Sequence, residues 1–543
     1  MRSLAAALLC LAALAGPAAG QDLVITGGPI YTGAAAQPTA RKVIVQDGRI
    51  AFVGDADAPF RLKPGTERID LKGAALFPGF TDGHAHLRGI GERELSLNLE
   101  GSKSAAEVAA RLKAYLETRK PSGPVWGRGW IETGWPEGRF LDRRDLDAVA
   151  PDQPVLLTRA DGHALVANSA ALRAAGIDGA TQAPAGGEIL KGPDGAPTGM
   201  LVDNAMALVA RLRTPPTEAD RRAAFEAAFR VEAAYGWTGV HSMSVAWADV
   251  GLLERLAAEG RAPLRVYNAV DAGEAAPLFA GGPRATPDGR VTTRAVKLYE
   301  DGALGSRGAA LFEPYADEPG TRGLVRTTPE QMRATMDKAK AAGVQVASHA
   351  IGDRGNANVL DLYAAVGARD LRWRIEHAQV VRPADIARFA QLGVIASMQP
   401  SHAIGDLHFA PARLGDERLD GAYAWKSMRD AKVLVVGGSD APVERGDPLI
   451  EFYAAVSRRD LAGFSAPDWR PGQKLSRAEA LALFTSAPAY ARFAERELGT
   501  IEVGKRADLS AFSVDLMTAP EAEIPKGRAV LTVVDGRVVY RAH

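Results

Sequence analysis

The chain has 543 residues, with 65 basic and 65 acidic side chains and no formal net charge when its histidines are neutral. A chain of this length can bury a large core and exceeds a single compact sandwich, which leaves one big barrel or two domains. The balanced charge gives no electrostatic reason for nucleic acid or an anionic membrane surface as a partner, and a small neutral molecule fits better.

In chain order, the first twenty residues read as a signal peptide. Arg2 supplies the positive start, residues 4–14 an apolar run, and Ala18-Ala19-Gly20 a small-residue cleavage site before Gln21. The apolar run is shorter than the roughly 20 residues that a spanning helix requires. Cleavage after Gly20 is expected, with a periplasmic or secreted product that has no membrane span in the mature chain. The single cysteine, Cys10, lies inside this segment, so the mature chain has no thiol and no disulfide.

Short β-rich runs follow at residues 23–25, 42–45, 50–53 and 68–71, with Asp47-Gly48 between the second and third as a hairpin signal. The far end repeats the pattern at residues 508–512, 530–534 and 538–541, with Asp535-Gly536 as the turn. Neither piece has strands enough for its own core. Residues 21–77 and 497–543 are therefore expected to form one small β-sandwich domain built from both chain ends.

Between them, strand-like runs alternate with helix-like ones, the pattern of an α/β fold with a parallel sheet. Eight apolar runs ending in polar or glycine residues lie at 75–80, 238–243, 264–269, 294–299, 344–348, 372–376, 394–398 and 433–436. Helical stretches at 329–342, 356–366 and 383–392 separate the later ones. The expected architecture is a (β/α)8 TIM barrel over residues 78–496. That count treats residues 87–216 as an insertion after strand one, although 154–159 is itself a strand candidate.

On this frame His84 and His86 follow strand one, Lys297 lies near the end of strand four, His349 closes strand five, His377 strand six and Asp440 strand eight. Barrel enzymes place their chemistry at that C-terminal face. In an extended His84-Ala85-His86 both imidazoles point to one side, since residues i and i+2 share a face. An isolated pair of this kind is weak, but two further strand-end histidines and an aspartate make a metal-ligand set. Lys297 is the odd member, because a protonated ammonium cannot ligate a cation. Carboxylation would turn it into a carbamate able to bridge two ions, and burial beside cations would favour the neutral amine this needs. A structural or substrate-binding lysine beside a single ion fits the residues equally well.

Residues 77–86 (FPGFTDGHAH), 296–302 (VKLYEDG), 374–379 (RIEHAQ) and 438–440 (GSD) resemble the amidohydrolase superfamily. More narrowly, they are similar to its amidohydrolase-3 or YtcJ-like branch, which includes N-substituted formamide deformylase. The resemblance covers essentially the whole mature chain. It implies a metal-dependent hydrolase of non-peptide carbon–nitrogen bonds, with His84, His86, Lys297, His349, His377 and Asp440 as the metal centre. It also favours two ions bridged by carboxylated Lys297 over one ion. Imidazole-rich ligation and a hydrolytic task make zinc the expected ion. A water activated by the metal would attack the carbonyl carbon, with Asp440 as general base. A mononuclear zinc deaminase-type hydrolase and a non-catalytic barrel used for binding are the alternatives; loss of ligands would mark the latter, and none is missing.

Further residues invite a substrate-binding reading. His163, in Asp161-Gly162-His163, resembles a stretch recurring in the branch, with a surface histidine as the plain alternative. Gly302, Ser306 and Arg307 follow the lysine strand, where a tight loop explains them equally well. Gln399 and His402 follow strand seven and should overlook the same pocket. His241 reads as a core histidine. Arg374 and Glu376 share a strand face and form either an ion pair or a support for a ligand. Trp126, Trp130 and Trp135 are expected to pack rather than to line a pocket.

Overall fold

A computed structural model of the protein describes residues 20–132, 135–159, 164–184, 187–367 and 369–542. Residues 1–19 and the Asp161-Gly162-His163 stretch lie outside the described residues. The chain divides into two compact units: Arg88–Ala228 is one, and the chain on either side of it forms the other.

The larger unit contains the barrel. Its strands are Phe80–Ala85, Trp237–Val245, Arg265–Asp271, Val291–Tyr299, Gln345–Ala350, Arg374–His377, Ile395–Met398 and Val435–Gly437. They pair in parallel in that order. Parallel strands covered on both faces need near-continuous apolar sequence, and runs such as 433–436 (VLVV) supply it. Helices Pro329–Ala341, Asp353–Val366 and Pro383–Leu392 return the chain between the later strands. The first of them begins on a reciprocal cap in which the Thr328 hydroxyl accepts from the Gln331 N–H.

The first strand differs from the sequence expectation. Residues 75–80 do not form one barrel strand. Ala75–Pro78 pairs antiparallel with Leu509–Phe512 in a separate sheet, and the barrel strand starts at Phe80. Gly79 makes the crossing possible, because a Cβ there would lie 2.4 Å from Thr238 Oγ1. His84 consequently sits within the first barrel strand rather than after it. No strand ladder joins the eighth strand to the first. Two backbone bonds close that seam instead, from Asp440 N–H to the His84 carbonyl (2.7 Å) and from His86 N–H to the Ala441 carbonyl (2.8 Å).

Beside the barrel, two sheets are built from both chain ends. One has the order Arg49–Gly54, Lys42–Gln46, Leu23–Thr26, Glu67–Asp70; the other runs Arg537–Arg541, Ala529–Val534, Leu509–Phe512, Ala75–Pro78, Ile30–Tyr31, Thr39–Ala40. Leu23, Ile25, Val43, Ile69, Leu76, Leu509, Leu531 and Val533 share one buried cluster. Both Asp-Gly turns hold left-handed backbone, with φ of 50° and 76° at Asp47 and Gly48 and 51° and 70° at Asp535 and Gly536. That is what a two-residue hairpin turn requires. The barrel's Arg265 is anchored to this region by Asp508 through Nε (2.6 Å) and Nη2 (2.9 Å).

The smaller unit, Arg88–Ala228, has its own mixed sheet. Its order is Gly187–Lys191, Pro197–Asp203, Ala164–Ala167, Val155–Arg159, Val125–Trp130, Leu97–Asn98. Trp130 and Trp135 are buried in its core, and their indole N–H groups donate to the Leu157 and Ser102 carbonyls at 2.8 Å each. A buried indole normally finds such a partner, and these two pack rather than line a cleft.

Candidate metal centre

His84, His377 and Asp440 offer ligand atoms that all lie within 4.8 Å of one another. Asp440 Oδ1 is 3.3 Å from His84 Nε2 and 3.2 Å from His86 Nε2. The His377 ring centroid is 4.8 Å from that of His84 and 4.6 Å from that of His349. Lys297 is buried near the same ends, its ammonium nitrogen 5.1 Å from the centre of the Tyr299 ring. The barrel thus brings the six sequence candidates to the C-terminal ends of its strands.

The local backbone is specialised. His377 (φ 74°), Ala378 (φ 40°) and Asp440 (φ 60°) are all left-handed without being glycine. Such conformations cost about 1–3 kcal/mol each and persist where surrounding structure fixes them, typically at functional sites. Gly438 must lack a side chain, because a Cβ would sit 2.4 Å from the His84 backbone nitrogen. Asp82 ties the seam from beneath, its carboxylate accepting from the N–H of His84 (3.1 Å) and of Ser439 (2.9 Å). Burial pushes that carboxyl up to about 6.

Each ring also has an outer contact. His84 Nδ1 is 2.6 Å from Glu376 Oε2, His377 Nδ1 is 2.9 Å from Gln399 Oε1, and His86 Nδ1 is 3.2 Å from the Met243 carbonyl. All three acceptors are oxygens, so Nδ1 carries the proton and Nε2 turns its lone pair inward. His349 Nε2 faces Asp301 Oδ1 at 3.4 Å. Glu376 is held by Arg374, whose guanidinium also donates to the Gly83 carbonyl (2.7 Å) and Ser397 Oγ (2.7 Å) and meets His241 Nδ1 (3.0 Å). Arg374 and Glu376 are therefore both an ion pair and a support for a candidate ligand.

Burial sets the charge states. It holds His377 well below the ordinary imidazole range, reinforced by the His349 and His84 rings, and it lowers His349 as well. It brings Lys297 down to about 8, against the opposing pull of Glu376 and Asp440. Burial would raise Asp440, but the charge and close contact of His84, and then the contact with His86, hold it well below the usual carboxylate range. Neutral His349 and His377, an ionised aspartate and an accessible neutral amine are the forms in which these groups ligate or react.

The other sequence candidates spread differently. His402 Nε2 lies 3.6 Å from Asp440 Oδ2. Gln399 is turned toward His377, with its Nε2 lacking a hydrogen-bond partner among the described residues. Arg307 pairs with Asp317 (3.0 Å), and Ser306 Oγ reaches the Ala303 carbonyl at 3.4 Å. A Cβ on Gly302 would be 3.1 Å from the Gly308 backbone, so that loop folds back on itself. Asp301 explains the fold-back: its carboxylate accepts from the N–H groups of Ala310, Ile351 and Gly352 at 2.8–2.9 Å. Asp82, Asp301 and Ser439 were not singled out from the sequence, although each falls within or beside a motif that was.

An eight-stranded parallel barrel with imidazoles, a carboxylate and a lysine at the C-terminal strand ends has the build of a barrel enzyme. The model of the amidohydrolase family matches residues 67–540, and the chain belongs to that family. It is 35% identical over 530 residues to YtcJ of Bacillus subtilis (strain 168), covering 95% of this chain and 98% of that protein. It is 29% identical to N-substituted formamide deformylase of Arthrobacter pascens, over 96% and 98% of the two chains. Among solved structures, an uncharacterized metal-dependent hydrolase from Pyrococcus horikoshii OT3 superposes with a TM-score of 0.77 at 27% identity, covering 92% of this chain and 99% of that one.

Proposed function

We propose that this amidohydrolase-family chain is an exported, metal-dependent hydrolase that cleaves a non-peptide carbon–nitrogen bond of a small molecule. His84, His86, Lys297, His349, His377 and Asp440 would hold the metal. The observation that carries this reading is the contact between His84 and Asp440. With Nδ1–H directed to Glu376, His84 Nε2 points a lone pair at Asp440 Oδ1 across 3.3 Å, and neither atom has a hydrogen-bond partner among the described residues. Two lone-pair atoms facing each other in a buried site require a cation between them. A proton would meet that need in metal-free protein, and His84 and Asp440 would hold a divalent ion in the loaded enzyme.

Imidazole-rich donors with one carboxylate suit zinc. Buried Lys297, lowered to about 8, supports the two-ion form. Its neutral amine could add to the carbon of carbon dioxide and release a proton to solvent, and the resulting carbamate would offer oxygen ligands for the ions. The tight trio of His84, His377 and Asp440 supports a second reading, a one-ion deaminase-type site in which Lys297 stays an amine.

A bound divalent ion supplies Lewis acidity to a water and to the substrate carbonyl. Asp440, ionised and facing His84 and His86, would take the proton from the attacking water and pass it to the leaving nitrogen. His402, beside Asp440, would meet the substrate; the free amide nitrogen of Gln399 supplies a further donor. His163, Gly302, Ser306 and Arg307 remain weaker substrate-binding candidates, Arg307 being engaged by Asp317. Export rests on the signal-like residues 2–20; among the described residues no helix is long and apolar enough to cross a membrane.

The test is elemental analysis of the mature protein followed by a hydrolysis screen over N-acyl, N-formyl, cyclic amide, urea and ester panels. Zinc binding with turnover of a carbon–nitrogen substrate is expected. Turnover of esters or phosphoesters alone would overturn the bond assignment. Two ions per chain and a lysine heavier by one carbon dioxide would decide for the bridged form.

A further inference from the structure

We infer that Glu376, clamped by Arg374, is the residue that positions the metal centre, by fixing the tautomer and orientation of His84. The inference rests on the metal-centre reading above and adds to it a specific support outside the ligand set.

His84 and Glu376 are both fully buried, and their contact of 2.6 Å is the shortest outer contact made by His84, His86 or His377. The acceptors of those three rings differ in kind. His377 faces a neutral amide oxygen and His86 a backbone carbonyl, whereas His84 faces a carboxylate. Arg374 donates to both oxygens of Glu376, from Nε to Oε1 and from Nη2 to Oε2 (2.9 Å), so the group facing His84 is an ion-paired acid. A carboxylate accepting from Nδ1–H makes the bond charge-assisted and pushes electron density onto Nε2, which strengthens that nitrogen as a donor.

Arg374 fixes Glu376 from the same strand face, two residues away, as the period-two geometry of a strand allows. The guanidinium is in turn fixed by three strands other than its own. Gly83 in the first strand accepts at 2.7 Å, His241 in the second faces it at 3.0 Å and Ser397 in the seventh accepts at 2.7 Å. Since guanidinium only donates, His241 Nδ1 is the acceptor there. Rotating His84 away from Asp440 would thus break a network that crosses the barrel axis. The site is set before any ion arrives, and His84 becomes its least adjustable imidazole.

The test compares wild type with Glu376→Gln and Glu376→Asp by chelator competition for zinc. Glutamine keeps size and an acceptor but loses charge; aspartate keeps charge but is one methylene short of His84. Both should bind zinc roughly 10–100-fold more weakly, the effect usual for loss of an outer partner of a ligating histidine. The metal-free variants should keep a cooperative thermal transition. Unchanged affinity in both variants, with wild type binding zinc, would overturn the inference alone. Wild type that binds no divalent ion would overturn the metal-centre reading instead. Should either variant fail to fold, histidine-selective nitrogen NMR of metal-free wild type gives the answer, with His84 assigned through His84→Asn. A protonated Nδ1 on His84 is required, and an imidazole carrying its only proton on Nε2 refutes the role of Glu376.

Discussion

The backbone N–H of Asp440 donates to the carbonyl of His84 at 2.7 Å, so the residue proposed as general base and the first candidate ligand are joined by the main chain as well as through their side chains. That bond, together with the one from His86 N–H to Ala441, closes the barrel between its eighth and first strands. The geometry of the centre and the closure of the fold are one feature, which is why left-handed backbone at Asp440 is tolerated.

This separates side-chain chemistry from closure. Asp440→Asn keeps the main-chain bond and nearly the same volume, so the variant should fold with a thermal midpoint close to wild type. Turnover should fall about 10²–10⁴-fold, the range lost with a general base. Steady-state kinetics with metal content measured in parallel checks it; near-normal turnover at full metal loading would remove Asp440 from that role.

Metal-free protein should lose stability on mild acidification. His349 and His377 are held below the ordinary imidazole range when folded, so below about pH 6.5 the unfolded chain binds more protons than the folded one. Stability then rises with pH across that window and is lost on going down from about pH 7 to about pH 5. Thermal scans of the chelated protein against pH read this directly. A flat profile, or one unaltered by replacing both histidines with asparagine, would contradict it.

Lys297 acts in the same direction at high pH. Folded, it titrates at about 8 because of burial; unfolded, it returns to about 10.5. Between those values the unfolded chain again holds the extra proton, so stability of metal-free protein should climb from about pH 8 to about pH 10. Lys297→Met should stabilise the metal-free protein near pH 7 by on the order of 3 kcal/mol and remove that climb. Chemical denaturation at two pH values suffices, and a destabilised methionine variant would show that the buried ammonium is no liability.

Away from the centre, Asp508→Ala should cost about 3 kcal/mol or more in stability. It strips the bidentate partner from Arg265, a fully buried cation that Asp535 then supports alone. Zinc affinity, measured alongside, should not change. A variant as stable as wild type would mean that Asp535 and solvent compensate fully.

Much of this could be read along the chain. Eight apolar runs, two Asp-Gly turns and strand-end histidines are local patterns, since strand period, turn dihedrals and the requirement to cover a parallel sheet are each written into neighbouring residues. The helix at 383–392 coincides with the observed Pro383–Leu392 for the same reason, with a proline in its first turn and Gly393 as its left-handed end. Residues 75–80 read as one strand because Phe80, the start of the barrel strand, directly continues the apolar stretch of Ala75–Pro78. Only the antiparallel partner 509–512, some 430 residues away, assigns its first half to another sheet.

The sequence by itself determined which residues could ligate and that they belong at strand ends. Tertiary structure alone decided their support: that Glu376 reaches His84, that Arg374 is held from three other strands, that Gln399 turns to His377 and that Asp301 clamps the loop after Lys297. Ligand candidates announce themselves by residue type, whereas support depends on which distant groups burial brings within about 3 Å, and no local pattern encodes that distance.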